Sequence, residues 1–172
     1  MKSDEARADT SAMELVEEAL GANGEDACAR LVGLLKHQDI LTVEQAARTL
    51  KKISEANAAT LFRWRKALIA EAFHAKDVRV QWNLTIVLGR LPLKGQDKAL
   101  VVDLMFERLQ DKSGLNRTMA MQALMDLSEE DAKLRARVRP IVREFLHNGT
   151  PAMRAGDEAF EEARVLASSR CI

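Results

Sequence analysis

Four segments of this chain close on the same kind of ending at nearly equal intervals, and that recurrence constrains the fold more than any other feature. The segments are Leu34-Leu35-Lys36-His37, Ala72-Phe73-His74, Arg108-Leu109-Gln110 and Phe145-Leu146-His147, each ending an apolar run with helical spacing. Their large apolar residues Leu35, Phe73, Leu109 and Leu146 stand 38, 36 and 37 positions apart. A period in the range of about 20 to 50 residues is the mark of stacked units. No single unit of such an array buries its apolar face, so each neighbour covers the one before it.

Composition names the kind of unit. With 172 residues the chain has room for one domain or an array of four or five short repeats. Apolar residues make up 47%, aromatics only 4%, and there is no Tyr, so Leu, Ala, Val, Ile and Met must fill the core. Three Pro and eight Gly leave few breaks, while Ala, Leu, Glu, Arg and Lys favour helix. The sequence predicts an all-α protein.

A polar stretch, residues 1–10, predicts a disordered start. Ser11 and Glu14 form a capping-box pattern ahead of an N-terminal capping helix over 11–24, with Gly21 as its stop. Four helix pairs follow. Their first helices are expected at about 25–37, 58–74, 97–110 and 131–147, and their second helices at about 41–54, 77–91, 115–127 and 151–168. Asp39, Asp77 and Asp111 precede the first three second helices, where a carboxylate can accept unpaired backbone N–H groups, and Thr150-Pro151 precedes the fourth. The second helices share a register: Leu50, Leu88, Leu124 and Phe160, with Ile53, Leu91, Leu127 and Ala163 in step. Small residues at Ala46, Ala120 and Gly156 let helices approach closely, and Leu84 takes that place in the second pair. Pro140 inside the last first helix predicts a kink or a break.

The stretches Asp77-Val78-Arg79, Leu88-Gly89-Arg90-Leu91 and Arg117-Thr118-Met119-Ala120-Met121-Gln122-Ala123-Leu124, with the Pro140 helix, resemble HEAT repeats, the helix-pair units of armadillo-like α-solenoids, here of the small bacterial type. The resemblance covers residues 25–168 and leaves 169–172 as a tail. It departs at the first pair, which lacks the Val-Arg signature, and at Asp157 and Glu158, which make the last helix acidic. It implies a right-handed α-solenoid of about four helix pairs whose second helices line a concave, partner-binding surface. That implication rests on fold alone.

Chemistry finds little footing. Equivalent positions in stacked repeats lie about 10 Å apart, whereas zinc bonds run near ~2 Å, so the histidines read as helix-end caps and no metal is expected. No GxSxG, HExxH or phosphate-cradling loop occurs, and Gly21-Ala22-Asn23-Gly24 is short and lacks the Lys. The reading is non-catalytic, with no cofactor. Cys28 and Cys171 are isolated, the start Met1-Lys2-Ser3-Asp4-Glu5 is polar, and no apolar run approaches a membrane span, so a cytoplasmic protein without membrane contact is predicted.

The candidate surface lies on the second helices. Val80, Leu84, Val87, Leu88 and Leu91 make the core face of the helix from Asp77 to Leu91, and Trp82 and Ile86 point away from it. Gly89 is grouped with them, and positions 82, 85, 86 and 89 correspond one repeat on to Thr118, Met121, Gln122 and Met125, so Met121 and Met125 extend the row. Trp82, Ile86, Met121 and Met125 are therefore expected to form an apolar concave strip, bordered by Arg48, Lys51 and Arg79 at one end and by Asp157, Glu158 and Glu161 at the other. Such a strip suits a protein, peptide or helix partner. The bland alternative is that these residues pack between neighbouring helices. The strip and the open ends of the array are also where a homodimer would form.

Nucleic acid is the second partner class. The net charge is zero, but residues 1–50 carry 5 basic and 10 acidic groups and residues 51–100 carry 10 and 4. Trp82 with Arg79, Arg63, Arg65 and Lys66 is similar to the groove of the HEAT-like alkylpurine DNA glycosylases, although Ile86 stands one turn on and no acid lies nearby on that face. That departure leaves weak binding without catalysis.

Overall fold

The computed structural model describes residues 16–21 and 24–148, apart from the side chains of 146–148. Among the described residues the chain is all-helical and has no strand. Helical residues 16–20 lead into α1 (Gly24–Leu34) and α2 (Ile40–Asn57), followed by a 3-10 segment (Ala58–Trp64). Then come α3 (Arg65–His74), α4 (Val78–Arg90), α5 (Gly95–Arg108), α6 (Gly114–Ser128) and α7 (Ala132–Asn148). The pairs α1 with α2, α3 with α4 and α5 with α6 pack internally. Across the pairs, α4 lies between α2 and α6, α3 packs on α5, and α6 packs on α7.

The helix starts follow from short-range hydrogen bonds. Asp39 accepts from the Thr42 backbone N–H at 3.0 Å and from its hydroxyl at 2.7 Å, and those bonds hold its carboxyl below the ordinary aspartate range. Asp77 accepts from the Arg79 and Val80 N–H groups at 2.8 and 3.3 Å. Asp111 does not cap α6, contrary to the sequence expectation. Ser113 takes that place, accepting from the Asn116 N–H at 3.3 Å. Asp111 stands two residues ahead and ties the turn instead, accepting from the Ser113 N–H at 2.7 Å and the Asn116 amide at 3.2 Å.

One further expectation is corrected, and of the kink or break expected at Pro140 the break is removed. The helix expected over 58–74 is divided, because α2 runs to Asn57 and leaves no loop. The chain turns instead through tighter 3-10 geometry, with Asn57 accepting from the Ala59 N–H at 3.1 Å. Pro140 does not break its helix, since α7 runs through it. Pro140 and Ala136, the residue whose carbonyl loses its donor, both face solvent, so water can replace the missing bond. The Ser11–Glu14 capping box, the Thr150-Pro151 cap, the second helix over 151–168 with its acidic border and Cys171 lie outside the described residues.

The shared register of the second helices is the core. Leu50, Ile53, Leu88, Leu91, Leu124 and Leu127 are all buried, each such side chain stabilising by about 1.5–3 kcal/mol. Asn83, Thr85, Asn116 and Arg108 are buried polar groups among them. Arg108, at the end of α5, donates to the Ala72 carbonyl in the last turn of α3, to the Gln81 carbonyl at 3.0 Å and to the Thr85 hydroxyl.

A close helix contact joins α4 and α6. A Cβ placed on Gly89 would sit 2.8 Å from both Cα and Cβ of Ala123. The Cα belongs to backbone and cannot swing aside, so the helices are as close as glycine permits. Gly89→Ala would gain about 1 kcal/mol of helix propensity but cost about 1–3 kcal/mol in overpacking. We expect a net loss of stability of up to about 2 kcal/mol, read as a lower urea midpoint with unchanged m-value. Equal or greater stability would show that the α4–α6 spacing can relax.

Candidate functional site

The second helices α2, α4 and α6 turn one face away from the first helices, and the sequence-predicted site residues divide across it. Trp82 and Ile86 of α4 lie on this face and are half-buried. Arg48 of α2 and Arg79 of α4 are exposed beside them. Met121 and Met125 are not part of the strip: they are 3% and 1% exposed and belong to the core. The reason is rotation about the helix axis. Their counterparts one repeat back, Thr85 and Gly89, also turn inward, Thr85 to the Arg108 guanidinium and Gly89 to Ala123. The apolar strip therefore contracts to Trp82 and Ile86, and the outward positions of α6 are held by Gln122 and Asp126, each half-buried.

Charged groups surround the indole. The Lys51 ammonium stands 4.9 Å from the Trp82 ring centroid, within cation–π range. Lys51 also lies 3.8 Å from Glu55, and Glu55 receives Arg90 at 3.3 Å. At the other end Arg79 pairs with Glu44 at 2.8 Å. On α6, Gln122 donates to Asp126 at 2.8 Å, while desolvation pushes the Asp126 carboxyl above the ordinary aspartate range against the pull of Arg90. Sequence reading placed Lys51 on the border but passed over Glu55, Arg90 and Asp126. The signal was available, because Arg90 and Asp126 are 36 residues apart and occupy equivalent positions.

Of the cations that suggested a nucleic-acid groove, Arg63 and Arg65 turn to acids away from Trp82. Arg63 pairs with Glu25 of α1 and Arg65 with Asp97 of α5 at 2.7 Å, both acids on first helices. The histidines act locally. His37 Nδ1 accepts from the Asp39 N–H at 3.1 Å, and His74 Nδ1–H donates to the Ala70 carbonyl at 2.7 Å; the His147 side chain lies outside the described residues. Among the described residues no group of three His, Cys, Asp or Glu side chains could hold a metal ion. Cys28 is buried, and burial pushes its thiol up, as expected of an unreactive packing residue. No helix among the described residues is long and apolar enough to cross a membrane.

A cleft of about 100 Å³ opens where the α1–α2 and α3–α4 loops meet. Leu35, Val43, Val80 and Leu84 floor it, and Glu71, His74 and Asp77 rim it. Comparison with protein-family models, with curated proteins and with solved structures gives no match.

Asp126 supplies a test of this face. Its carboxyl holds a proton more tightly folded than unfolded, so its contribution is greatest at low pH and is lost as pH rises through the folded pKa. Asp126→Asn should therefore stabilise the protein at neutral pH, with the gain shrinking to nothing as pH falls below the ordinary aspartate range. Urea titrations of both proteins at several pH values measure it. A gain independent of pH would mean that the carboxylate is not desolvated.

Proposed function

We propose that the chain is a small HEAT-like right-handed α-solenoid that acts as a non-catalytic scaffold or adaptor, holding a peptide or helix of a protein partner against its second helices. The observation that carries this reading is the half-buried indole of Trp82 on the face of α4, beside Ile86 and beneath the Lys51 ammonium. Support for the repeat reading comes from the packing of α4 between α2 and α6 and of α3 on α5. Tryptophan surrounded by charged groups is the usual composition of a binding anchor, because the ring buries a large area while the rim fixes orientation. In this reading Arg79 and Arg48 belong to the rim, and Met121 and Met125 support the face from the core.

The neighbouring charges favour a partner carrying both signs. Lys51 and Arg90 share the single carboxylate of Glu55 on the α2–α4 side, which leaves that side one positive charge in excess, and Asp126 lies on the α6 side, so an apolar anchor flanked by an acid toward α2 and a base toward α6 would be matched. The nucleic-acid reading has weaker support, because Arg63, Arg65 and Arg79 are each committed to an acid of the same chain.

Affinity capture from a lysate of the source organism, quantified against Trp82→Ala, tests the reading. We expect specific partners to be retained at least about fivefold less by the variant, corresponding to about 1 kcal/mol, with the helical circular-dichroism signal intact. Ile86→Ser should act in the same direction. Equal capture by both variants, or retention on immobilised DNA that falls steeply with salt, would overturn it in favour of packing or of nucleic acid respectively.

A further inference from the structure

Exposed apolar side chains are concentrated at one edge of the molecule. Of the nine exposed large hydrophobic residues among those described, six stand where first helices end and second helices begin: Leu34, Ile40, Leu41, Phe73, Val78 and Leu115. Leu41, Val78 and Leu115 are spaced 37 residues apart and are 58%, 42% and 46% exposed. The three loops they belong to lie side by side. Lys36 reaches Glu71 at 3.8 Å, Arg79 reaches Glu44 at 2.8 Å, and the Asn116 amide donates to Gln81 at 2.6 Å. These side chains therefore form a row across three pairs.

Nothing in the helices calls for that row. The first turn of a helix favours carboxylates, which complement its positive end, and the N–H groups of these turns are served by Asp39, Asp77 and Ser113. Apolar groups gathered on a water-facing edge mark a surface that another molecule covers.

We propose that this edge is the contact between two copies of the chain, paired about a two-fold axis. The charges choose the occupant. Each loop carries one lysine and one aspartate close together: Lys36 with Asp39, Lys76 with Asp77, and Lys112 with Asp111. An edge of alternating sign and no net charge gives no pull toward nucleic acid or an anionic membrane. It does match a second copy of itself, because an isologous contact can set the lysines of one copy near the aspartates of the other. The cleft over Leu35, Val43, Val80 and Leu84 opens at the same edge, with Ile40 at its wall, and offers room for an apolar side chain from the opposite copy. The contact leaves the Trp82 face open, so dimer formation and partner binding are separable.

Sedimentation equilibrium of the full chain at micromolar concentration tests the proposal. The wild type should sediment at twice the 19.2 kDa chain mass. Leu41→Glu combined with Leu115→Glu places carboxylates where a helix start favours them, so the circular-dichroism signal should persist while the dimer dissociation constant rises at least roughly tenfold. If that pair loses helical signal, the near-isosteric Val78→Thr gives the same reading with a smaller rise. Trp82→Ala should leave the dimer unchanged. A monomeric wild type, a dimer indifferent to the edge substitutions, or a dimer lost with Trp82→Ala alone would each overturn the proposal.

Discussion

The guanidinium of Arg108 fixes the second pair against the third, and the geometry of the loop edge depends on it. One planar group meets the last turn of α3 through the Ala72 carbonyl and the body of α4 through Gln81 and Thr85. Among the described residues no carboxylate is hydrogen-bonded to it. Burial lowers its pKa to about 10, while Asp111 and Glu107 act in the opposite direction, so it is charged at neutral pH. A buried cation whose hydrogen bonds all go to dipoles is weak evidence for stability, because desolvation offsets much of the attraction. Its contribution is positional. The forked donors accept one arrangement of three helices, and a neighbouring helix displaced by one residue would leave the charge unpaired. The Gln81 side chain continues the network, donating to the Ala75 carbonyl at 2.8 Å and accepting from Asn116 at 2.6 Å, which brings α6 into the same register.

Ion pairs repeat the same task on the surface. Glu18–Arg30, Glu25–Arg63, Arg65–Asp97 and Lys98–Asp131 each join one helical unit to the next, and Glu44–Arg79 and Glu55–Arg90 do so between second helices. The uneven distribution of charge along the sequence thereby acquires a structural meaning, since acids of the first pair face bases of the second. Exposed pairs of this kind are worth about 0–1 kcal/mol each. Their larger effect is on recognition: cations committed to internal acids leave little net field for a polyanion.

Periodicity made most of the helices and the core legible, because packing imposes it at every repeat. Leu50, Leu88 and Leu124 had to be inside, and they are. What escaped was set by contacts between repeats. Met121 and Met125 were placed on the surface by stepping forward from Thr85 and Gly89, and the error lay in taking those two positions as outward. Their inward turn depends on the close approach of Gly89 to Ala123, a distance that no single helix encodes. Arg108 left a trace that could have been followed. It occupies the register of Leu34, Ala72 and Phe145, and one arginine among three apolar residues points to a buried cation. Ser113 displaced Asp111 as the cap because both are good cap residues and only the length of the turn decides between them.

The same 37-residue step writes two rows of apolar side chains with different standing. Leu50, Leu88 and Leu124 are apolar because the helices cannot pack otherwise. Leu41, Val78 and Leu115 are apolar although their helices already have caps and a large part of each side chain stays open to water. Trp82 and Ile86 fall between the two cases, partly used by the contact with α2 and partly open to water. A repeat protein fixes its core by necessity, so freedom to acquire function lies at positions that the packing does not determine. Here those positions fall on two surfaces, the outer face of the second helices and the loop edge. The Arg108 network stands behind that edge, holding rigid a surface that the core alone would leave free to shift.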